Sequence, residues 1–165
     1  GAGAALFSAH RAGDDGFGVL SAQLGGDGAL APLLSLANSG SRAFPDLPGR
    51  YIRMQGNEVF KQAVRNMPEC GAAVLVQAGL TAADVSLLIP HQANIRIIDA
   101  VASRLGVPPE KVFVNIEKYG NTSAATIPIA LCEAIEQGRL KPGDVLVADA
   151  FGAGLTWGAM AVRWG

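Results

Sequence analysis

The spacing of apolar and polar residues changes several times along the chain, and each change marks a structural element. Residues 3–9 are small, apolar and uncharged, which predicts a buried strand, and the polar, glycine-rich residues 10–16 predict a turn. A second strand is expected over 17–24, where Val19 and Leu20 are apolar and Ser21 and Gln23 polar. Gly25-Gly26-Asp27-Gly28 signals a turn. Residues 29–49 hold Pro32, Pro45, Pro48 and several serines and read as irregular, with room for one short strand; 50–54 looks extended.

From Gly56 the period lengthens. Val59, Phe60, Ala63, Val64 and Met67 follow helical spacing, so a helix is expected over 56–78, bent or divided at Pro68 and ended by Gly79. Thr81-Ala82-Ala83-Asp84 reads as a capped turn and 86–90 as a buried strand. Residues 94–105 form an amphipathic helix on paper, with Ile95, Ile98, Val101, Ala102 and Leu105 on one face and Gly106 closing it. Pro108-Pro109-Glu110 is a turn and 112–116 a strand. A helix over 122–137, bent near Pro128 and ended by Gly138, leads through the turn at 141–144 to strands over 145–150 and 155–163.

Strands and helices thus alternate in the C-terminal part, which predicts an α/β fold: a sheet covered by helices, in one domain. Of 165 residues, 50% are hydrophobic and 16% charged, enough apolar material for a full core and for some apolar surface. The net charge of −1, with no basic run interleaved with aromatics, argues against a nucleic-acid partner. No apolar stretch is long enough for a membrane span, so no membrane association is expected. Cys70 and Cys132 are far apart and lack metal-ligand or disulfide spacing; no metal site is expected, and a reducing cytoplasm is the simplest compartment. The sequence opens without Met, inside an apolar run, and we expect a longer polypeptide of which this is the second half.

Three junctions carry candidate chemistry. His91, in Pro90-His91-Gln92-Ala93-Asn94, follows the strand at 86–90. Asn121, in Gly120-Asn121-Thr122-Ser123, follows the strand at 112–116. Phe151-Gly152-Ala153-Gly154 follows the strand at 145–150. Ligands of open α/β sheets collect beyond the carboxyl ends of strands, so all three junctions can meet at one sheet edge. A histidine just before a helix start is disfavoured as the cation, and a neutral imidazole N–H can stabilise an enolate. Asn121 can donate from its amide without changing charge, and the two together make a two-donor hole for developing negative charge. Simpler readings stand beside these. His91 can be a histidine satisfied by backbone at a helix start, Asn121 an N-cap, and Gly152-Ala153-Gly154 a tight turn.

These motifs, with Gly56-Asn57-Glu58-Val59-Phe60-Lys61 and Leu155-Thr156-Trp157-Gly158, resemble those of β-ketoacyl-acyl-carrier-protein synthase III, and the likeness runs from Gly1 to Trp164. The resemblance implies a thiolase-like fold, of which this is the C-terminal half, with a mixed sheet covered by helices. It implies a Cys-His-Asn site in which His91 and Asn121 supply two members, while the catalytic cysteine belongs to an N-terminal half outside this chain. It implies a condensation of an acyl group from acyl-CoA with malonyl-acyl-carrier protein, with decarboxylation. No cofactor is implied beyond these substrates. Phe151, Gly152 and Ala153 match the oxyanion loop and site wall, with Ala153 where the family usually has glycine. Asn57, Phe60 and Asn94 match positions lining the pantetheine entrance. Lys61, Arg96 and Arg104 match basic positions facing the carrier protein, against which stands the reading that they are ordinary solvated helix surface. The implied partners are acyl carrier protein, acyl-CoA, the missing N-terminal half and a second copy in a homodimer. Two other readings remain open: acyl transfer to another acceptor without decarboxylation, and a non-catalytic binding or dimerisation module.

Overall fold

The computed structural model describes residues 1–7, 16–36 and 51–165. The strongest apolar run, Leu87-Leu88-Ile89, forms β4 (Leu87–Pro90), fully buried along its length. It pairs in parallel with β5 (Val145–Gly152), which pairs antiparallel with β6 (Thr156–Arg163); β6 in turn pairs antiparallel with β1 (Gly18–Gly26). The sheet order β1-β6-β5-β4 is therefore mixed. Near-continuous hydrophobicity suits the β4–β5 side because both faces are covered. Leu88 and Val147 face one core cluster with α1 (Gly56–Gln77) and α2 (Ile95–Leu105). Leu87, Ile89 and Leu146 face another with Ala130 and Ala134 of the last helix. A separate two-stranded sheet joins β2 (Leu34–Leu36) to β3 (Ile52–Met54).

Several elements depart from the expectations. Residues 1–7 form no strand, and Leu6 and Phe7 are exposed, because no described strand offers that segment a ladder; residues 8–9 lie outside the described residues, as do 10–15 and 37–50. Strand β1 runs on to Gly26, and Gly28–Leu33 is a short 3-10 helix capped by Asp27, whose Oδ1 accepts from Ala29 N–H at 3.0 Å. Ile95 is exposed, and Ile97 takes its place on the buried face of α2. The helix expected over 122–137 begins as a 3-10 turn, Ser123–Ala125, and continues as α4 (Thr126–Glu136; α3 is described below). Strand β5 extends through Phe151 and Gly152, leaving only 153–155 as a turn before β6.

Pro68 does not divide α1, and the reason lies in Arg104. Proline has no N–H, so the carbonyl of Val64, four residues earlier, loses its helical donor. The Arg104 guanidinium on α2 donates to that carbonyl at 2.6 Å. One charge-assisted bond both repairs α1 and ties it to α2. Gly71 permits the same close packing: a Cβ there would sit 3.0 Å from Leu105 Cδ1.

Asp149, fully buried on β5, is the fold's polar anomaly. Neither carboxylate oxygen finds a hydrogen-bond partner of normal geometry among the described residues. Burial pushes its pKa well up, and the adjacent Ala150 N–H offsets only part of that.

A double-mutant cycle tests whether Arg104 compensates for Pro68. Arg104→Met should cost about 2 kcal/mol in urea unfolding, since a buried carbonyl loses a charged donor. In a Pro68→Ala background, where residue 68 regains its N–H, the same change should cost less than about half as much. Equal costs in both backgrounds would refute the repair.

Candidate active site

His91 directly follows β4, and its N–H continues the parallel ladder by donating to Asp149 O at 2.7 Å. This fixes His91 beside the end of β5, two residues from Phe151. The next residue, Gln92, is buried and acts as surrogate backbone. Its Nε2 donates to Pro90 O at 2.7 Å and Phe113 O at 3.1 Å, and its Oε1 accepts from Asn115 N–H at 3.1 Å. The strand expected over 112–116 is absent for this reason. Only Val112 makes a bridge to Leu88, Phe113 N–H donates to Leu88 O, and a carboxamide then replaces the ladder. The chain is thereby free to turn into α3 (Ile116–Tyr119), the short helix that precedes Asn121.

A buried carboxylate on α4 anchors α3. Glu133 Oε2 accepts from Asn115 Nδ2 at 2.7 Å, and Oε1 accepts from Tyr119 O–H at 2.8 Å and from Lys118 Nζ. The Lys118, Asn115 and Tyr119 donors hold the Glu133 pKa down to about 2, and the Lys118 ammonium is correspondingly raised. Gly120, at φ +66°, then turns the chain into Asn121, whose Oδ1 accepts from Ser123 N–H at 2.9 Å. Asn121 is not the N-cap of the turn that follows, which is Thr122; its side chain closes a local Asx-type turn, and that bond engages its oxygen. What the carboxamide has left to offer a ligand is its NH2.

His91 Nδ1 lies 2.6 Å from Thr126 Oγ1, the buried first residue of α4. The imidazole pKa is lowered, and burial is the cause. This corrects the expected helix-dipole origin. Helix α2 starts only at Ile95, and Asn94 already caps it, Oδ1 accepting from Arg96 N–H at 2.9 Å.

These junctions open into one cavity of about 370 Å³, lined by His91, Asn121 and Phe151, with Asn57, Phe60, Asn94 and Arg96 nearer α1 and α2. Apolar groups from Leu34, Met54, Val59, Ala63, Met67 and Ile97 complete it. Seven of the expected residues therefore meet. Gly152 and Ala153 lie outside the lining, Gly152 at the end of β5 and Ala153 exposed in the turn to β6. That turn is tight: Thr156 Oγ1 donates to Ala153 O at 2.9 Å, and a Cβ on Gly154, at φ +142°, would sit 2.6 Å from Thr156 Cγ2. Phe151 stacks on Trp157 with centroids 6.3 Å apart. Arg96 lies over the Phe60 ring at 5.2 Å, whereas Lys61 pairs with Glu58 at 2.7 Å and Arg104 is engaged with Val64 O. Thr126, Gln92 and Glu133 were not foreseen: each acts across the fold, and nothing in the local pattern marks it.

Neither cysteine lines the cavity. The Cys70 thiol is buried on α1, donates to Gln23 O at 3.4 Å, and has a pKa raised by burial and by the Asp149 charge. Cys132 is exposed on α4, and the Glu136 carboxylate beside it raises its pKa. A nucleophilic thiol needs the opposite shift. The cavity offers two neutral hydrogen-bonding groups, His91 and Asn121, in a mainly apolar wall that carries the Arg96 cation on its α2 side.

A mixed sheet with helices on both faces and strand-end junctions converging on one cavity defines a thiolase-like half-fold. Solved structures share it. The 3-oxoacyl-[acyl-carrier-protein] synthase III of Aquifex aeolicus superposes with a TM-score of 0.83 at 50% identity, over 92% of this chain and 46% of that one. The corresponding synthase of Thermus thermophilus gives 0.85 at 48% identity, over 92% and 47%. The sequence profile of the 3-oxoacyl-[acyl-carrier-protein] synthase III C-terminal family matches residues 75–164, and the chain belongs to that family. A relative named β-ketoacyl-[acyl-carrier-protein] synthase III, from Symbiobacterium thermophilum, is 52% identical over 156 residues, 92% of this chain and 47% of its own length. The chain thus spans about half the length of the curated relatives it matches.

The Glu133 anchor has a pH signature. A carboxylate with its folded pKa at about 2, against about 4.3 unfolded, contributes stability that is complete above the unfolded value and lost as pH falls toward the folded one. Glu133→Gln should lower the unfolding free energy at pH 7 and flatten its decline between about pH 5 and 2. A variant with the parent's slope in that window would show that the carboxylate is not held as described.

Proposed function

We propose that this chain supplies the enolate-stabilising half of a fatty-acid-initiating condensing site, acting in β-ketoacyl-[acyl-carrier-protein] synthase III. The observation that carries the reading is the convergence of His91 and Asn121, two neutral donors, on one largely apolar cavity. A malonyl thioester carbonyl placed between them accepts both hydrogen bonds. As the bond to the carboxylate breaks, carbon dioxide leaves and the electron pair moves onto that oxygen as an enolate. Pre-set donors in a low-dielectric wall stabilise the charge where it develops. The enolate carbon then attacks the carbonyl of an acyl group held as a thioester on a cysteine, and collapse of the tetrahedral oxyanion breaks the C–S bond and releases the cysteine thiolate. Neither Cys70 nor Cys132 is placed for that role, so the nucleophile comes from a cysteine-bearing N-terminal half. The acyl group comes from acyl-CoA.

Asn57, Phe60 and Asn94 line the cavity on its α1 and α2 side, which we assign to the pantetheine arm. Arg96, at the same wall, is the basic group best placed to meet an acidic carrier protein; Lys61 and Arg104, on the same two helices, lie outside the cavity lining, paired with Glu58 and Val64 O. We place the turn at Ala153 against the oxygen of the acyl thioester, with its backbone N–H as donor. Two cysteines that form no disulfide with each other accord with a cytoplasmic setting, and exposed apolar groups such as Leu24 and Ile52 leave surface for a homodimer.

The test is kinetic. Joined to a cysteine-bearing half, the protein should form a ketoacyl product from acyl-CoA and malonyl-carrier protein, and this chain alone should form none. His91→Ala and Asn121→Ala should each lower decarboxylation about 10²–10³-fold while acylation of the cysteine falls far less. Equal loss of both half-reactions in a radiolabelled transfer assay would remove the enolate role.

A further inference from the structure

The imidazole can serve the proposed site in only one of its two neutral forms. With the proton on Nε2, the ring presents a donor to the cavity; with the proton on Nδ1, it presents a lone pair that repels an enolate oxygen. Nδ1 faces Thr126 Oγ1 at 2.6 Å, so the hydroxyl's one proton decides between the two. Thr126 is 3% exposed, and among the described residues its hydroxyl makes no hydrogen bond except to His91. The carbonyl that a helical threonine often uses, four residues back at Thr122, accepts Ala125 N–H at 3.2 Å and makes no bond with the Thr126 hydroxyl. If Nδ1 carried the proton and Thr126 accepted it, the hydroxyl hydrogen would be buried with no acceptor. If Thr126 donates to Nδ1, every buried proton is used and only an oxygen lone pair goes unfilled. Proteins tolerate the second situation much better than the first.

We infer that Thr126 is a positioning residue that fixes His91 as the Nε2–H tautomer by donating its hydroxyl proton to Nδ1. The inference deepens the condensing-site reading and rests on it for its catalytic consequence, though the tautomer itself can be measured without any turnover. Burial supports the assignment by keeping the ring neutral, so that a choice between tautomers exists. Threonine and serine can both make the bond. Valine, which has the same shape as threonine, cannot.

Long-range nitrogen–proton NMR correlation of the 15N-labelled protein reads the tautomer directly, at a pH well above the ordinary imidazole value of about 6.5. The chain has only two histidines, so a His10→Gln background isolates the His91 ring. The expected spectrum has a protonated Nε2 and an unprotonated Nδ1. In Thr126→Val the preference should fall or reverse, and in Thr126→Ser it should persist. A proton on Nδ1 in the parent protein overturns the assignment without need of any variant. So does a folded Thr126→Val protein with the parent's tautomer ratio. In the enzyme completed with its cysteine-bearing half, Thr126→Val should reduce decarboxylation roughly tenfold to hundredfold with KM little changed, and Thr126→Ser should restore most of it. An Nε2–H ring in a completed enzyme that performs no condensation would refute the functional reading alone and leave the tautomer assignment standing.

Discussion

The site depends first on a side chain that never reaches it. The Gln92 carboxamide, buried between the end of β4 and residues 113–115, makes three hydrogen bonds that a neighbouring strand would otherwise supply. A true strand there would carry the chain straight on along the sheet. The carboxamide satisfies the same backbone groups over a shorter distance and lets the chain turn away into α3. His91 and Asn121 can face one cavity because the two segments that carry them are locked side by side and then released. The cost of leaving three buried polar groups unpaired makes this lock hard to open locally.

The two donors are held by different physics. Asn121 is set by electrostatics: Glu133 gathers Lys118, Asn115 and Tyr119 around one carboxylate and anchors the helix from which the asparagine loop departs. His91 is set by burial, by its backbone bond to Asp149 and by the Thr126 hydroxyl. Both arrangements deliver a neutral group, and neither adds charge to the cavity. Apolar groups from α1, α2 and β3 line the same cavity, and in such surroundings a hydrogen bond is stronger than in water.

Much of this was legible in the sequence, and the failures share a cause. The period of 56–78 and of 94–105 located both large helices, the run at 86–90 located β4, and the resemblance located His91 and Asn121. Local pattern failed where a partner elsewhere in the fold decides the outcome. Residues 112–116 have strand composition, yet Gln92 displaces the ladder. Pro68 should break α1, yet Arg104, on another helix, repairs it. Ile95 fits the apolar stripe of α2, yet as the first helical residue it faces outward. Residues 3–9 have the composition of a buried strand, but composition cannot supply a neighbouring edge. The origin of the His91 shift was misjudged similarly: a helix start is visible in sequence, whereas the desolvation that dominates depends on what packs around the ring.

The central claim is that His91 and Asn121 donate together to one carbonyl oxygen. Isotope-edited infrared spectroscopy of a non-decarboxylating malonyl thioester analogue, labelled at the thioester carbonyl and bound to the completed enzyme, measures that polarisation at the atom concerned. The carbonyl stretch should shift to lower frequency on binding, lose part of the shift in His91→Ala or Asn121→Ala, and lose nearly all of it in the double variant. A carbonyl frequency that neither substitution moves, in an analogue that still binds, would contradict the account.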